Sequence, residues 1–412
     1  LVNLKPWKKT TIGAQVTLQR GIDITKAEQR HGSVPVISSG GVSSYHDQAA
    51  VNGPGVILGR KGVVGSVYYC PVDYWPHDTT LWVKDFHGNE PRFVYYFFKN
   101  YAPELARLDV GSANPTLNRN HVHPKKTLWP PLSEQHAIAR VLSSLDDKVE
   151  LNRRMNTTLE AMAQAIFKSW FVDFDPVRAK MEGREPAGMD AETAALFPDG
   201  FERMDGQEVP EGWKIGSLTT VVEVLGGGTP KTTVDEYWDG QIPWFSVVDA
   251  PNLSDVFVID TEKKITEFGL NNSSAQILPV GTTIITARGT VGKIALVAVP
   301  MAMNQSCYGL SGKDGYGPFF TYFLTRDAVS ILKQNTHGSV FDTITRQTLN
   351  DAHVIIPTKG ACGAFEKQVE HLLKRIESNL FESRTLAALR DTLLPKLISG
   401  EVRVSSELKK SK

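Results

Sequence analysis

The chain has 412 residues, of which 41 % are apolar and 22 % charged, with a formal net charge of zero. That is long enough for two or three domains with real cores, and the composition is that of an ordinary soluble globular protein. No apolar run approaches the ~18 residues that cross a bilayer, and the opening LVNLKPWKKTT lacks the apolar core of a secretion signal, so a cytoplasmic protein with no membrane partner is expected.

Cys70, Cys307 and Cys362 are odd in number and match no zinc spacing, so they read as unpaired thiols in a reducing compartment. Zero net charge argues against a nucleic-acid partner, but the average hides segregation. Residues 1–132 carry +6, 133–212 carry −7, 213–357 carry −3 and 358–412 carry +4. A local basic face remains open.

Residues 1–132 read as a mixed α and β globule. Strand-like GVILG and SVYY flank the turn RKGVVG, Arg60 to Gly65, and a helical stretch RFVYYFFKNYAPELARL precedes the polar GSANPTLNRN, which starts at Gly111. Residues 133–174 follow as one long helix. Ile138, Leu142, Leu145, Val149, Asn152, Asn156, Leu159, Ala163 and Ile166 recur at alternating steps of four and three, the 3.5-residue period of a coiled-coil seam. Residues 175–212, rich in Pro, Gly and acids, read as a linker away from any DNA.

Residues 213–357 read as a second globule, with TTIITA and KIALVAV around ARGTVG, Ala287 to Gly292. Residues 358–412 supply a second long helix and tail, with Phe365, Val369, Leu372, Ile376, Asn379, Ser383, Leu386, Arg390 and Leu393 on its seam.

The second half repeats the first. At a constant offset of 227, Gly62, Val64 and Gly65 match Gly289, Val291 and Gly292; Gly111, Ser112, Thr116 and Arg119 match Gly338, Ser339, Thr343 and Arg346; Pro130 matches Pro357, and Asn152 matches Asn379. The starting tryptophans, Trp7 and Trp213, lie only 206 apart, so about 21 extra residues enter the second half, placed here within DEYWDGQIPWFSVVDA. An antiparallel pairing of the two helices brings Asn152 and Asn379, the midpoints of their seams, together as a polar layer that fixes register.

The RKGVVG and ARGTVG turns join strands, so they lack the helix N-terminus of a nucleotide-binding loop. Their glycines suit a tight turn, with ligand contact the alternative. Arg60, Lys61, Arg288 and Thr290 beside them are candidates for phosphate or base contact, against an ordinary solvated surface. Asn114, Asn118, Arg119, Thr345 and Arg346, in the two duplicated polar segments, are candidates for adenine edges or phosphates, against a role as turns and caps. At the helix ends, Phe167, Trp170, Phe171, Phe174 and Leu393, Leu394, Leu397, Ile398 exceed what a two-helix seam buries; they seal against a globule or await a partner helix.

The segments LDDKVELNRRMNTTLEAMAQAIFKSWFVDFDPVRAKMEGREP, GGGTPKTTVDEYWDGQIPWFSV and LRDTLLPKLISGEVRV closely resemble the specificity subunits of type I restriction-modification enzymes. The resemblance implies an α+β fold of two tandem, pseudo-twofold-related target-recognition domains separated by an antiparallel two-helix coiled-coil spacer. It implies no catalysis in this chain and a bipartite, asymmetric site on double-stranded DNA. It further implies two methyltransferase (modification) subunits docked on the helices and the apolar helix ends, with two ATP-dependent restriction subunits beyond them. S-adenosylmethionine, ATP and Mg then belong to those partners; this chain holds no cofactor or metal.

Two rivals are open. A metal-dependent nuclease would need clustered carboxylates and a lysine, for which Asp255, Glu262 and Lys264 are a loose match, and His121 and His123 could alternate on a strand as metal ligands. A coiled-coil scaffold with no DNA role fits the zero net charge.

Overall fold

The computed structural model describes residues 6–107, 116–335 and 343–404. The chain divides into two compact units, Leu1–Val149 with Thr385–Lys412, and Glu150–Arg384.

The first unit opens with β1 (Lys8–Thr11), one helical turn α1 (Ile12–Gln15) and β2 (Thr17–Arg20), then β3 (Val34–Ser38), β4 (Gly41–His46), β5 (Gly55–Gly59), β6 (Val67–Cys70), β7 (Trp75–Pro76) and β8 (Thr80–Asp85). β2, β8, β5 and β6 form one antiparallel sheet in that order, and β3 lies between β4 and a parallel β7 in a second. Helix α2 (Pro91–Arg107) covers the first sheet, burying Phe93, Val94, Phe97 and Phe98 against Val56, Leu58, Leu81 and Val83. After the short α3 (Arg119–Val122), β9 (Lys126–Trp129) returns beside β1, and the long α4 (Leu132–Phe171) begins.

In the second unit α5 (Asp175–Met181), α6 (Ala191–Ala194) and the hairpin β10 (Phe201–Met204) and β11 (Gln207–Pro210) come first. They occupy the segment expected as a linker. Its composition is that of a linker, but its few apolar residues are anchors: Val177, Phe197 and Val209 are fully buried, and Phe197 packs edge-on to Trp170 at 5.2 Å between ring centroids.

Next come β12 (Lys214–Ser217), α7 (Leu218–Val221), β13 (Val222–Gly226), β14 (Trp238–Phe245), β15 (Phe257–Val258), β16 (Lys264–Ile265) and α8 (Glu267–Asn271). They are followed by β17 (Thr283–Thr286), β18 (Ile294–Val297), β19 (Ala302–Met303), β20 (Cys307–Gly312), α9 (Pro318–Asn335), α10 (Arg346–Asp351), β21 (His353–Ile356) and the long α11 (Lys359–Ser399).

The duplication is visible in the pairing. The order β13-β20-β17-β18 repeats β2-β8-β5-β6, and β12-β21 repeats β1-β9. Trp244 pairs with Ala302 as Val36 pairs with Trp75, so the two halves are still within two residues of being in step at β14. All but two of the extra residues therefore enter after Phe245, mostly beyond the segment expected to hold them. Where the first unit has the tight β3–β4 connection, the second has 246–263, which adds β15 alongside β18 and buries Val256, Phe257 and Val258.

Within each unit α4 and α11 run antiparallel. In the second, Phe167 and Phe171 of α4 meet Phe365 of α11 at 5.7 and 5.4 Å, while Asn152 and Asn156 meet Asn379. In the first, Asp146 pairs with Arg390 at 2.5 Å and Glu134 with Arg403 at 2.5 Å. Asn152 Nδ2 donates to Glu382 at 2.8 Å and to the Asn379 carbonyl at 3.4 Å, and Asn379 Nδ2 donates to Asn156 Oδ1 at 2.9 Å. All three asparagines are buried. The buried Nδ2 donors of Asn152 and Asn379 are satisfied in this register, although Asn152 Oδ1 finds no partner among the described residues, and sliding either helix leaves the donors unpaired as well.

Phe167, Trp170, Phe171 and Phe174 are only 4–7 % exposed, as part of the second unit's core. Leu394, Leu397 and Ile398 are buried in the first unit's core, with Leu393 packed against it. The surface expected to await a partner is closed by the protein's own globules, because each presents an apolar sheet-and-helix face that needs covering.

Glu366 fastens α11 to α9: its carboxylate accepts the Phe320 amide at 2.6 Å, one of the N–H groups a helix start leaves without an internal partner. Burial pushes its pKa up to about 7. From about pH 4.5 to 7 the folded chain thus holds a proton that the unfolded chain has released, and this group's contribution to stability falls as pH rises. Glu366→Gln is expected to flatten the pH dependence of the urea midpoint over that window, relative to the parent; equal slopes would refute the assignment.

Candidate nucleic-acid interface

In the first unit the turn between β5 and β6 carries Gly62 and Gly65 at φ 77° and 83°; in the second, the turn between β17 and β18 carries Gly289 and Gly292 at 79° and 74°. These left-handed backbones are why glycine is needed. Gly65 and Gly292 also close on α2 and α9: a Cβ there would lie 2.9 Å from the Ala102 carbonyl oxygen and 2.6 Å from Lys333 Cε.

Each turn is tied to the duplicated polar segment by the same backbone bridge. Lys61 pairs with Thr116 and Arg288 with Thr343. Leu117 N donates to the Arg60 carbonyl, and Ile344 N to that of Ala287, both at 2.9 Å. Leu117 and Ile344 are buried plugs beneath the bridge. A third segment joins them: Arg60 N and Lys61 N donate to the Thr79 carbonyl at 2.8 and 3.0 Å, and Ala287 N to Ser306 at 2.8 Å. In each unit three short loops thus meet at one surface, and the two sets of candidate residues, far apart in sequence, are brought together.

Lys61, Arg288 and Thr290 are exposed on the turns. Arg60 is half-buried, its Nη1 3.4 Å from the Asp78 carbonyl; burial, with Arg20 nearby, holds its pKa below the ordinary arginine value. Arg119 donates to the Leu18 carbonyl at 3.4 Å. Arg346 lies 5.9 Å from the Tyr308 ring centroid and, with Thr219, Glu223, Lys313 and Asn350, lines a polar hollow of about 490 Å³. Asn118 and Thr345 are N-caps: Asn118 accepts the Asn120 amide at 3.0 Å, and Thr345 accepts that of Thr348 at 3.1 Å. Asn114, with Gly111, Ser112, Gly338 and Ser339, lies outside the described residues.

The nuclease residues do not converge. Lys264 pairs with Asp260 at 3.4 Å, Glu262 is exposed, and Asp255 bonds the Asn156 side chain with burial raising its pKa. His121 and His123 sit in and just after α3 rather than on a strand, and His123 Nε2 accepts the Leu18 amide at 3.0 Å. Among the described residues the one group of side chains close enough to share a metal is Asp23, His77 and Asp78, and Asp78 already takes Arg20 at 2.8 Å.

The third loop carries no duplicated motif that marks it in the sequence. It holds Asp78 in the first unit and Gln305 at the matching place in the second, where the Thr229 hydroxyl donates to the Gln305 amide oxygen. The signal was available: these two residues differ inside a stretch whose strands keep the 227-residue offset.

Comparison with known proteins shows what such a duplicated architecture belongs to. The profile of the type I restriction modification DNA specificity domain matches twice, at residues 5–161 and 210–387. This chain belongs to that family. Each match takes in one globule and much of the long helix that follows it. The family's HindI specificity subunit of Haemophilus influenzae is 31 % identical over 314 residues, 66 % of this chain and 68 % of the relative. The MjaIX specificity subunit of Methanocaldococcus jannaschii is 31 % identical over 160 residues, 38 % of this chain and 37 % of the relative. The crystal structure of the S subunit of a type I system from M. genitalium superposes with a TM-score of 0.61 at 17 % identity, covering 97 % of both chains, a likeness of fold. No described helix is long and apolar enough to cross a membrane.

The caps separate scaffold from contact. Asn118→Ala and Thr345→Ala are each expected to lower unfolding free energy by about 1 kcal/mol, measured by denaturant titration, and an unchanged midpoint would remove the capping assignment.

Proposed function

We propose that this chain is the DNA-reading subunit of a type I restriction-modification complex, each globule reading one half of a bipartite, asymmetric site. The observation that carries this is the repeated three-loop surface: the same backbone bridges in both units, dressed with different side chains. A duplicated scaffold suits two duplex half-sites related by a local dyad, and unequal loops suit unequal half-sites. Arg60, Lys61, Arg119, Arg288 and Arg346 supply the phosphate or guanine contacts in this reading, Thr290 hydroxyl contacts, and the α4 and α11 helices the ruler between half-sites.

On the same reading the chain catalyses nothing itself and acts in the cytoplasm. Two methyltransferase subunits dock on it, with two ATP-dependent restriction subunits beyond them, and S-adenosylmethionine, ATP and Mg are held by those partners. Because Phe167, Trp170, Phe171, Phe174, Leu393, Leu394, Leu397 and Ile398 are covered, this reading assigns docking instead to the exposed flanks of the helices, where Leu151, Met162 and Leu389 lie open.

Two measurements test this. Methylated bases mapped in DNA exposed to the assembled complex should fall in one bipartite motif with two different halves; a continuous or symmetric motif would overturn the reading. Arg288→Ala and Arg346→Ala should each weaken duplex binding, and each lost phosphate contact should reduce the slope of log K against log salt by about 0.9, whereas unaltered affinity and slope would remove these residues from the interface.

A further inference from the structure

The first unit's surface holds a side-chain pair that the second lacks. Arg20 ends β2, and its Nη2 donates to Asp78 Oδ2 at 2.8 Å. Both residues are fixed by backbone. Arg20 stands opposite Leu81 in the sheet, its carbonyl accepts Trp82 Nε1 at 3.3 Å, and Ile22 bridges to His77. Gly21 permits that approach, since a Cβ there would lie 2.0 Å from the His77 carbonyl oxygen. Asp78 Oδ1 lies 3.2 Å from His77 Nδ1. Burial works to raise the Asp78 pKa, but the hydrogen bond from Arg20 and the nearby His77 and Lys61 hold it below the ordinary aspartate value, so it is a carboxylate at neutral pH.

The Arg20 side chain nevertheless remains 56 % exposed. A guanidinium has five N–H donors in a rigid plane, and one hydrogen bond to Asp78 leaves most of them for a ligand. Arg60 and Lys61 stand on the same surface, Arg60 against the Asp78 carbonyl and Lys61 near enough to lower the Asp78 pKa. Asp23 adds a second carboxylate beside His77 and Asp78. Three cations therefore face two carboxylates, a mixture that holds a guanidinium in place more than it attracts polyanions at large.

At the matching places of the second unit stand Gly226, opposite Tyr308 in the sheet, and Gln305. No cation ends that strand. Gln276 donates to the Gly226 carbonyl at 3.0 Å, and the Arg346 guanidinium lies over the space, 3.7 Å from where a Cβ on Gly226 would be.

We infer that Arg20, held by Asp78, reads a guanine in the half-site of the first globule, a contact that the matching strand residue of the second globule, Gly226, has no side chain to make. A planar fork whose rotation is restrained by a carboxylate matches the O6 and N7 acceptors of guanine in the major groove, the pairing that arginine makes most often and that no other base offers. Pre-ordering the side chain removes part of the entropy lost on binding. The inference rests on the DNA-reading role proposed above.

The test is selection of duplexes from a randomised library by the complex assembled with the full-length chain, followed by sequencing. The parent should enrich a bipartite motif with a fixed guanine in one half. Arg20→Ala and Arg20→Lys should both lose about 10-fold or more of the preference for that guanine while keeping the other half-site, and Asp78→Asn should lose part of it. The Arg20 side chain is exposed, so the two Arg20 variants are expected to melt like the parent. If Arg20→Lys selects as the parent does, or Arg20→Ala weakens every sequence equally, Arg20 is a phosphate contact and the inference is overturned. If the parent enriches a motif and all three variants keep it, the inference fails while DNA reading stands. If the parent enriches no motif, DNA reading fails and takes the inference with it.

Discussion

Neither globule closes its core without a helix supplied by the other half of the sequence. The first covers its sheet and α2 with the start of α4 and, from the far end of the chain, Leu394, Leu397 and Ile398 of α11. The second covers its own with the end of α4, through Phe167, Trp170 and Phe171, and the start of α11, through Phe365, Val369 and Leu373. A buried aromatic side chain contributes roughly 1.5–3 kcal/mol relative to exposure, so a helix carrying several is held firmly. Antiparallel pairing follows within each unit, since each must receive the beginning of one helix and the end of the other. The amides of Asn152, Asn156 and Asn379 then select one register among those that apolar packing alone would tolerate.

Against that framework the loops are free to differ. The backbone bridges between Lys61 and Thr116 and between Arg288 and Thr343 use main-chain atoms and buried Leu117 and Ile344, so their geometry survives exchange of the exposed side chains. This division of labour explains why zero net charge misleads as a guide to function. The 45 cations are balanced by 45 acids, but a few of them stand on a rigid platform, and a reader of sequence needs placed donors more than a strong field.

Much of this was legible in the sequence. From β5 onward the 227-residue offset locates matching strands, helices and turns, because glycines at positive φ and the residues beneath them cannot be exchanged without moving the backbone. The heptad spacing announces both long helices. What escaped had physical causes. The segment 175–212 looks like a linker because acids, prolines and glycines dominate it, yet a few buried side chains, Val177, Phe197 and Val209 among them, suffice to dock it. The apolar helix ends look like an open patch because periodicity does not say which surface covers them. The tryptophans of DEYWDGQIPWFSVVDA draw the insertion too early in the chain, whereas strand register, invisible in one sequence, puts nearly all of it after Phe245. Arg20 and Asp78 escaped because they are unlike their counterparts, and a search for repetition passes over what does not repeat.

The closing of the first unit by Leu394, Leu397 and Ile398, with Trp7 held between Gly400, Arg403 and Glu134, bears on how the protein is made. Residues 385–404 leave the ribosome after the whole of the second unit, so the globule translated first is finished last. Until then Trp7, Ile138 and Leu142 lack the cover that Leu394, Leu397 and Ile398 give them, and the nascent chain depends on the speed of synthesis, or on a chaperone, to keep that apolar face from the wrong partner.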